Sequence, residues 1–268
     1  MREYIIRRLL LVPVTLVLVS CVVFTLSRMI PGDVVDLMFE EKGYAKDMEE
    51  MRKKLGLDKP IYVQYFSWMG NVLKFDWGKS LWSDRPVLQE IGKRWPVTLE
   101  LGVVALIISL LMGIPIGTYS AMRQDSAGDY ILRSYSILLL SIPGYMIAIL
   151  VILVPTLWWG WWRAAPAYVH FLDNPLLNIR NMILPAFCLG AAMSGSTMRM
   201  MRTMMLEVLR QDYIRTAWAK GLSERVIIPR HAMKNALIPV ITIIGIQMIF
   251  LIGGRTNVRA CRYLWSQL

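Results

Sequence analysis

The run LGVVALIISLLMGIPIGTYSAM, residues 101–122, holds no Asp, Glu, Lys or Arg. A membrane span needs roughly 20 apolar residues, because a helix rises about 1.5 Å per residue across a hydrocarbon core of about 30 Å. Four further runs share its character: Leu9 to Ser27, Ser134 to Trp162, Asn181 to Met198 and Asn235 to Gly254. Lipid offers no partner for backbone polar groups, so each run is expected to be helical. The predicted fold is an all-α integral membrane protein with five spans. Composition points the same way. Of 268 residues, 56% are hydrophobic and 18% charged, with a mean hydropathy of +0.46. A soluble domain carries about 45–50% apolar and about 25% charged residues. Disordered and disulfide-scaffold classes fail on the same figures. Of the three cysteines, Cys21 and Cys188 lie in spans and Cys261 in the tail, which makes no disulfide framework.

The first run carries Arg2, Arg7 and Arg8 ahead of it, and Leu18-Val19-Ser20-Cys21 resembles a lipoprotein cleavage box. A cleaved signal peptide is disfavoured. The run is 19 residues long, continues past Cys21 as Val22-Val23-Phe24, and is followed by four more spans. It is expected to stay as an anchor.

Positive charge then gives an orientation. The N-terminus has three Lys/Arg, the 123–133 loop two (Arg123, Arg133) and the 199–234 loop eight, against two (Arg163, Arg180) in the 163–180 loop. Short cytoplasmic loops are rich in Lys/Arg, which puts the N-terminus and the 199–234 loop in the cytoplasm. Segment 28–98 is then external; its 12 Lys/Arg do not count against this, because long translocated segments largely escape the rule. The net charge of +11 therefore needs no nucleic acid. Trp158, Trp159, Trp161 and Trp162 suit interfacial anchoring better than substrate stacking.

The external segment is expected to be a small helical cap. Met48, Met51 and Leu55 share one helical face, Glu49–Lys53 and Glu50–Lys54 are i,i+4 pairs, and Gly56 is a stop. A second helix starts near Pro60 and runs through Tyr62, Phe66, Met69 and Leu73. Structural packing and contact with an external partner are equally open for it.

Enzyme chemistry finds little support. Gly78-Lys79-Ser80 resembles the end of a phosphate-binding loop, but position 73 of the required pattern is Leu73, not Gly. His170 and His231 fall on opposite faces, leaving no visible metal site. Glu100 sits at a span edge, and ionisable groups within the spans are otherwise scarce, unlike an ion-coupled transporter. Prolines are abundant instead: Pro13, Pro115, Pro143, Pro155, Pro185 and Pro239 place at least one in each span. Each removes a backbone hydrogen bond and favours a kink. Gly113-Ile114-Pro115-Ile116-Gly117 is a G-x-x-x-G that allows close helix approach. Ordinary helix packing explains these features, as does a bundle of bent helices lining an alternating path.

The 199–234 loop begins with a basic, Met-rich extension of the fourth span, Arg199 to Leu209. Gln211 to Glu224 then reads as a short helix, a stop at Gly221 and a new start at Ser223. Such a helix is a docking element or a lipid-surface helix, and composition does not separate the two.

This stretch resembles the EAA loop of ABC importer permeases. The pattern E-A-A-x-x-x-G falls on Arg215, Thr216, Ala217 and Gly221; Ala217 and Gly221 match, whereas Arg215 and Thr216 depart. Asp212 to Glu224 and Arg230 to Val240 are similar to the loops of the dipeptide/oligopeptide/nickel-type permeases. Tyr4 to Leu10, Leu55 to Pro60 with Gln64-Tyr65, Asp76-Trp77-Gly78, Arg85-Pro86-Val87 and Thr98 to Leu101 fit the same subfamily. Over roughly 1–254 the chain resembles the first permease of such a pair.

The resemblance implies a type I ABC importer transmembrane domain in a prokaryotic cytoplasmic membrane. A second homologous permease, two ATP-binding subunits, an extracytoplasmic solute-binding protein and membrane lipid would be its partners. ATP would be used by the partner subunits, and this chain would bind no cofactor and no metal. The substrate would be a peptide or a related solute such as nickel. Arg215 to Gly221 would form the coupling helix. Gly221 would give a tight exit, Ala217 would let the helix pack into the ATPase, and Asp212, Lys220 and Glu224 would fix the register. Gly113, Pro115, Gly117, Pro143, Pro185 and Pro239 would shape and pack the spans. A stand-alone secondary transporter or channel and a membrane-anchored sensor are the alternatives. Three regions are expected: 1–98, the first span and external segment; 99–254, the core; and 255–268, an aberrant tail. The family would continue past Gly253-Gly254 into a sixth span. Here Arg255, Arg259 and Arg262 follow instead, so a frameshift or a truncated reading frame after about Gly254 is expected.

Overall fold

The computed structural model describes residues 2–29, 53, 56–80, 85–160 and 168–252. Expectations for Met48, Met51, Leu55 and the two Glu–Lys pairs, for Trp161 and Trp162, and for the tail after Gly254 fall outside the described residues. Within them the helices are α1 (Arg2–Met29), α2 (Ile61–Leu73), α3 (Val87–Met122), α4 (Ala127–Ser141), α5 (Gly144–Trp159), α6 (Pro175–Leu209), α7 (Asp212–Ala219), α8 (Glu224–Ile227) and α9 (Met233–Ile252). A π-helical turn, Ile228–Ala232, joins α8 to α9. Pro229 sits inside this turn and cannot donate a helical hydrogen bond, which favours such a bulge.

Among the described residues, four helical stretches are long and apolar enough to cross a membrane: Glu3–Met29, Val87–Met122, Pro175–Leu209 and Glu224–Leu251. The pair α4 and α5 makes a fifth only if counted as one broken span, because it bends by 106°. The uninterrupted helix expected over 134–162 is thus not formed. Pro143 is the reason. It has no N–H, and it forces the residue before it out of the helical region. Ile142 accordingly lies at φ −85°, ψ 124°, which ends α4 at Ser141. The other prolines behave differently: α1 runs through Pro13, α3 through Pro96 and Pro115, α5 through Pro155, α6 through Pro185 and α9 through Pro239.

The chain divides into two compact units, Met1–Glu90 and Ile91–Leu268. That division and position 98 both lie inside the continuous helix α3. In the first unit, α2 packs on α1 through aromatic rings. Phe24 lies 5.5 Å from Tyr65 and 5.6 Å from Trp68, and Ser20 Oγ is 2.9 Å from Tyr65 Oη. Pro60 supplies the N-cap of α2, and Gly56 has the positive φ, +65°, expected of a stop. Gly78, Lys79 and Ser80 belong to a turn closed by the Lys79–Pro86 bridge and by Ser80 N–H donating to Arg85 O at 2.8 Å. Leu10, Leu16 and most other apolar side chains of α1 stay exposed, which suits lipid rather than water.

In the second unit α6 is central. A stripe of small residues on α3 at four-residue spacing, Ala105, Ser109, Gly113, Gly117 and Ala121, is buried, as i,i+4 spacing on one helical face permits. A Cβ on Gly113 would lie 2.6 Å from Thr197 Cγ2 of α6, and one on Gly117 would lie 2.7 Å from Met198 O. From the other side, a Cβ on Gly190 of α6 would lie 2.6 Å from Ala105 O. Helix α6 starts on Asn174, whose Oδ1 accepts from Leu177 N–H at 3.1 Å, with Pro175 in its first turn. Two apolar clusters result. One gathers Leu101, Ala105, Ala148, Ala186 and Leu189; the other gathers Met201, Met205, Ile214, Ile227 and Val240.

Candidate functional site

The second cluster carries helix α7. Only two of its eight residues, Ile214 and Ala217, are buried, and their i,i+3 spacing puts them on one face. They rest on Met201 and Met205 of α6, Ala121 of α3, Ile227 of α8 and Ala232 and Val240 beyond it. Asn235 Nδ2 of α9 donates to Tyr213 Oη at 2.7 Å and ties the rim of α7 down. The exit from α7 is a Schellman motif: Gly221 N–H donates to Trp218 O at 2.9 Å and Leu222 N–H to Ala217 O at 3.3 Å. Gly221 has φ +78°, a conformation most side chains resist. Ser223 then takes the N-cap position of α8.

The remaining side chains of this segment are exposed. Asp212, Arg215, Thr216, Trp218, Lys220 and Glu224 face outward. Asp212 Oδ1 is 3.3 Å from Arg215 Nη1, an ion pair at the surface that adds little stability. Thr216 Oγ1 donates to Asp212 O at 2.9 Å. Ala217, at 7% exposure, faces the chain's own helices. Its small size brings α7 down onto the bundle, and the outward surface is formed by Tyr213, Trp218 and the charged residues.

Sequence reasoning misses a second arrangement. Asp129, in the first turn of α4, is fully buried and ties three helices together. Its carboxylate accepts from Arg202 Nε at 2.9 Å and Arg202 Nη2 at 2.8 Å, a two-pronged pair across to α6. It also accepts from Arg133 Nη2 at 2.7 Å, from Asp125 N–H at 3.1 Å and from Ser120 Oγ of α3. Ser126 Oγ caps α4 by accepting from Asp129 N–H at 3.2 Å. A signal for the cap is present: Ser126-Ala127-Gly128-Asp129 is a capping-box pattern.

A third group, uncharged, lies within the spans. Gln247 Nε2 of α9 donates to Met193 O at 3.2 Å and Ser196 Oγ at 2.9 Å, and lies 3.3 Å from Thr197 Oγ1. Ser109 Oγ of α3 is 3.3 Å from the same Thr197 oxygen. Elsewhere, Tyr168 Oη donates to Glu100 Oε2 at 2.9 Å; burial and then that carboxylate push the phenol up to about 12. Trp158 and Trp159 are exposed and in edge contact at 6.0 Å. Among the described residues, no group of three or more His, Cys, Asp or Glu could hold a metal ion.

Of the residues singled out from sequence, the structure groups Asp212 to Glu224 at one end of the second unit. Gly113 and Gly117 lie together on the α3–α6 contact, Pro115 between them, and Pro143 marks the α4–α5 break. Pro185 and Pro239 lie within separate helices.

An all-α bundle with four to five apolar spans and a short helix seated across its end defines a transporter membrane domain. The chain belongs to the binding-protein-dependent transport system inner membrane component family, which matches residues 113–256; the corresponding N-terminal family matches residues 1–102. It is a multi-pass membrane protein and a permease subunit of an ABC importer. Among its relatives is the oligopeptide transport system permease protein AppB of Bacillus subtilis, 38% identical over 270 residues, covering 100% of this chain and 85% of AppB. The dipeptide transport system permease protein DppB of Escherichia coli is 36% identical over 289 residues, covering 95% of this chain and 82% of DppB. A Brucella suis protein, provisionally named a peptide transport system permease, is 40% identical over 243 residues, 91% of this chain and 77% of that one.

Proposed function

We propose that this chain moves peptides across the prokaryotic cytoplasmic membrane as one of two homologous permeases. A solute-binding protein delivers the peptide from outside, and two ATP-hydrolysing subunits power the cycle from the cytoplasm. The names of the relatives support a peptide substrate. The single observation that carries the coupling role is α7. It is an eight-residue helix anchored by Ile214 and Ala217 on the ends of α3, α6, α8 and α9, with Asp212, Tyr213, Arg215 and Trp218 left outward and Lys220 and Glu224 exposed just beyond it. An ATPase that moves α7 therefore acts on the helices beneath it. The Lys/Arg excess in 199–234 supports a cytoplasmic placement of α7 and of the N-terminus.

The test is Gly221→Asp. At φ +78°, which Asp tolerates better than most side chains, and with nothing within 4 Å of where a Cβ would stand, the change places a carboxylate at the exit of α7 without a clash. The expected result is normal membrane insertion, loss of ATPase co-purification and loss of peptide uptake. Unchanged uptake with normal ATPase recovery would overturn the coupling role. Alkaline phosphatase fusions at 220 and 174 check the orientation; activity at 220 and none at 174 would reverse it.

A further inference from the structure

A cavity of about 240 Å³ opens between α3, α4 and α6, away from α7's outward face. Its lining sets apolar and basic side chains side by side. Ile116 of α3 and Ile137 of α4 form an apolar wall. The basic part is formed by Arg133, one turn before Ile137 on α4, and by Arg199 and Arg202 of α6, the latter level with Gly117 next to Ile116. Helices α3 and α6 are both long and apolar enough to cross a membrane, and Arg199 and Arg202 follow directly after the uncharged run 181–198, where hydrocarbon gives way to headgroups.

The charges do not balance. Arg202 and Arg133 share the single carboxylate of Asp129, with Asp125 Oδ1 a further 3.9 Å from Arg133. Arg199 is exposed and has no ion-pair partner among the described residues. Three guanidinium groups thus face two acids. Arg133 Nε is moreover buried with no hydrogen-bond partner, and a buried donor without an acceptor is unfavourable. Both features ask for an anion, and the isoleucine wall asks for a hydrocarbon chain.

We infer that this cavity binds an anionic phospholipid. The phosphate lies against Arg199 and Arg133, and an acyl chain covers Ile116 and Ile137. Free phosphate would answer the charge but leave the apolar wall bare; basic pockets between membrane helices suit lipid headgroups for this combined reason. The inference stands on residues other than those of α7 and does not depend on the coupling role.

The experiment is native mass spectrometry of the full chain released from nanodiscs of phosphatidylcholine mixed with phosphatidylglycerol. One free arginine near the membrane surface favours an anionic lipid by about fivefold. Wild type is expected to retain phosphatidylglycerol over phosphatidylcholine by at least that factor, and Arg199→Gln to lose about fivefold of the preference. Arg230→Gln removes the same charge from an exposed position outside the cavity and is expected to change nothing. Arg199→Lys keeps the charge and retains most of the preference, which covers the case in which the glutamine variant misfolds. Equal retention by wild type and both Arg199 variants would overturn the proposal, as would displacement of the lipid by inorganic phosphate alone. A bimane label on Ile137→Cys that brominated phosphatidylglycerol fails to quench would show another protein chain on this wall and would equally overturn it.

Discussion

Asp129→Ala removes the carboxylate on which α3, α4 and α6 converge. The wild-type group is fully buried and accepts five hydrogen bonds, three of them from guanidinium nitrogens. Breaking a buried ion pair from one side costs about 3–5 kcal/mol, chiefly because the opposite charge is left without a partner. Here Arg202 keeps 19% and Arg133 39% of its side-chain exposure. Neither orphaned group is fully buried, so the lower end, about 3 kcal/mol, applies. On the scale for domains of about 150–250 residues this lowers the melting temperature by about 6–12 °C. The assay is fluorescence-detected size-exclusion after heating in mild detergent. The double variant Asp129→Ala/Arg202→Met is the sharper measurement. If the loss comes from an unpaired charge, removing that charge as well recovers about half of it. A single variant melting within about 2 °C of wild type, or a double variant as unstable as the sum of the two singles, refutes the argument.

The α3–α6 contact predicts that Gly117→Ala, whose Cβ would meet the Met198 carbonyl at 2.7 Å, destabilises by about 1–3 kcal/mol, while Gly245→Ala with open space is neutral; the same melting assay compares them. Ile214→Ala empties the main anchor of α7 and is expected to cost about 2–5 kcal/mol locally, read as faster hydrogen exchange across 212–221. Trp218→Ala, at 47% exposure, is expected to leave the melting temperature within about 0.5 kcal/mol equivalent and to weaken ATPase co-purification. Gly221→Ala is expected to lose about 1–2 kcal/mol at φ +78° and Gly221→Asn less, because Asn tolerates that conformation.

Much of this architecture is legible because hydropathy reports directly on lipid. The spans at 9–27, 101–122, 181–198 and 235–254 each fall within a described helix, as far as residue 252. Gly221 and Ser223 are legible because backbone rules are local. The α4–α5 break is not, because apolar content alone does not reveal that Pro143 ends a helix while Pro115 and Pro185 are carried inside one. The decision is made by neighbours: Pro115 sits in a helix held against α6 on both sides by Gly113 and Gly117. Asp129 escapes because an acid beside a loop reads only as charge, and its partner Arg202 lies 73 residues away. Gln247 escapes because an uncharged amide barely interrupts an apolar run, whereas an ionisable group would. Ala217 stands out in the sequence as a small residue, but which side its smallness serves depends on how α7 lies on the bundle.

Helix α6 meets α3 through Gly190 and through Gly113 and Gly117, meets α4 through Gly195, and holds α9 through the Gln247 amide. At several of these points there is no room for even one methyl group. Like a key with cuts on three sides, such a helix cannot turn about its own axis without lifting every neighbour from its seat. Any stroke delivered at its α7 end would therefore be conveyed along its length as a tilt of the whole block rather than absorbed by a local twist.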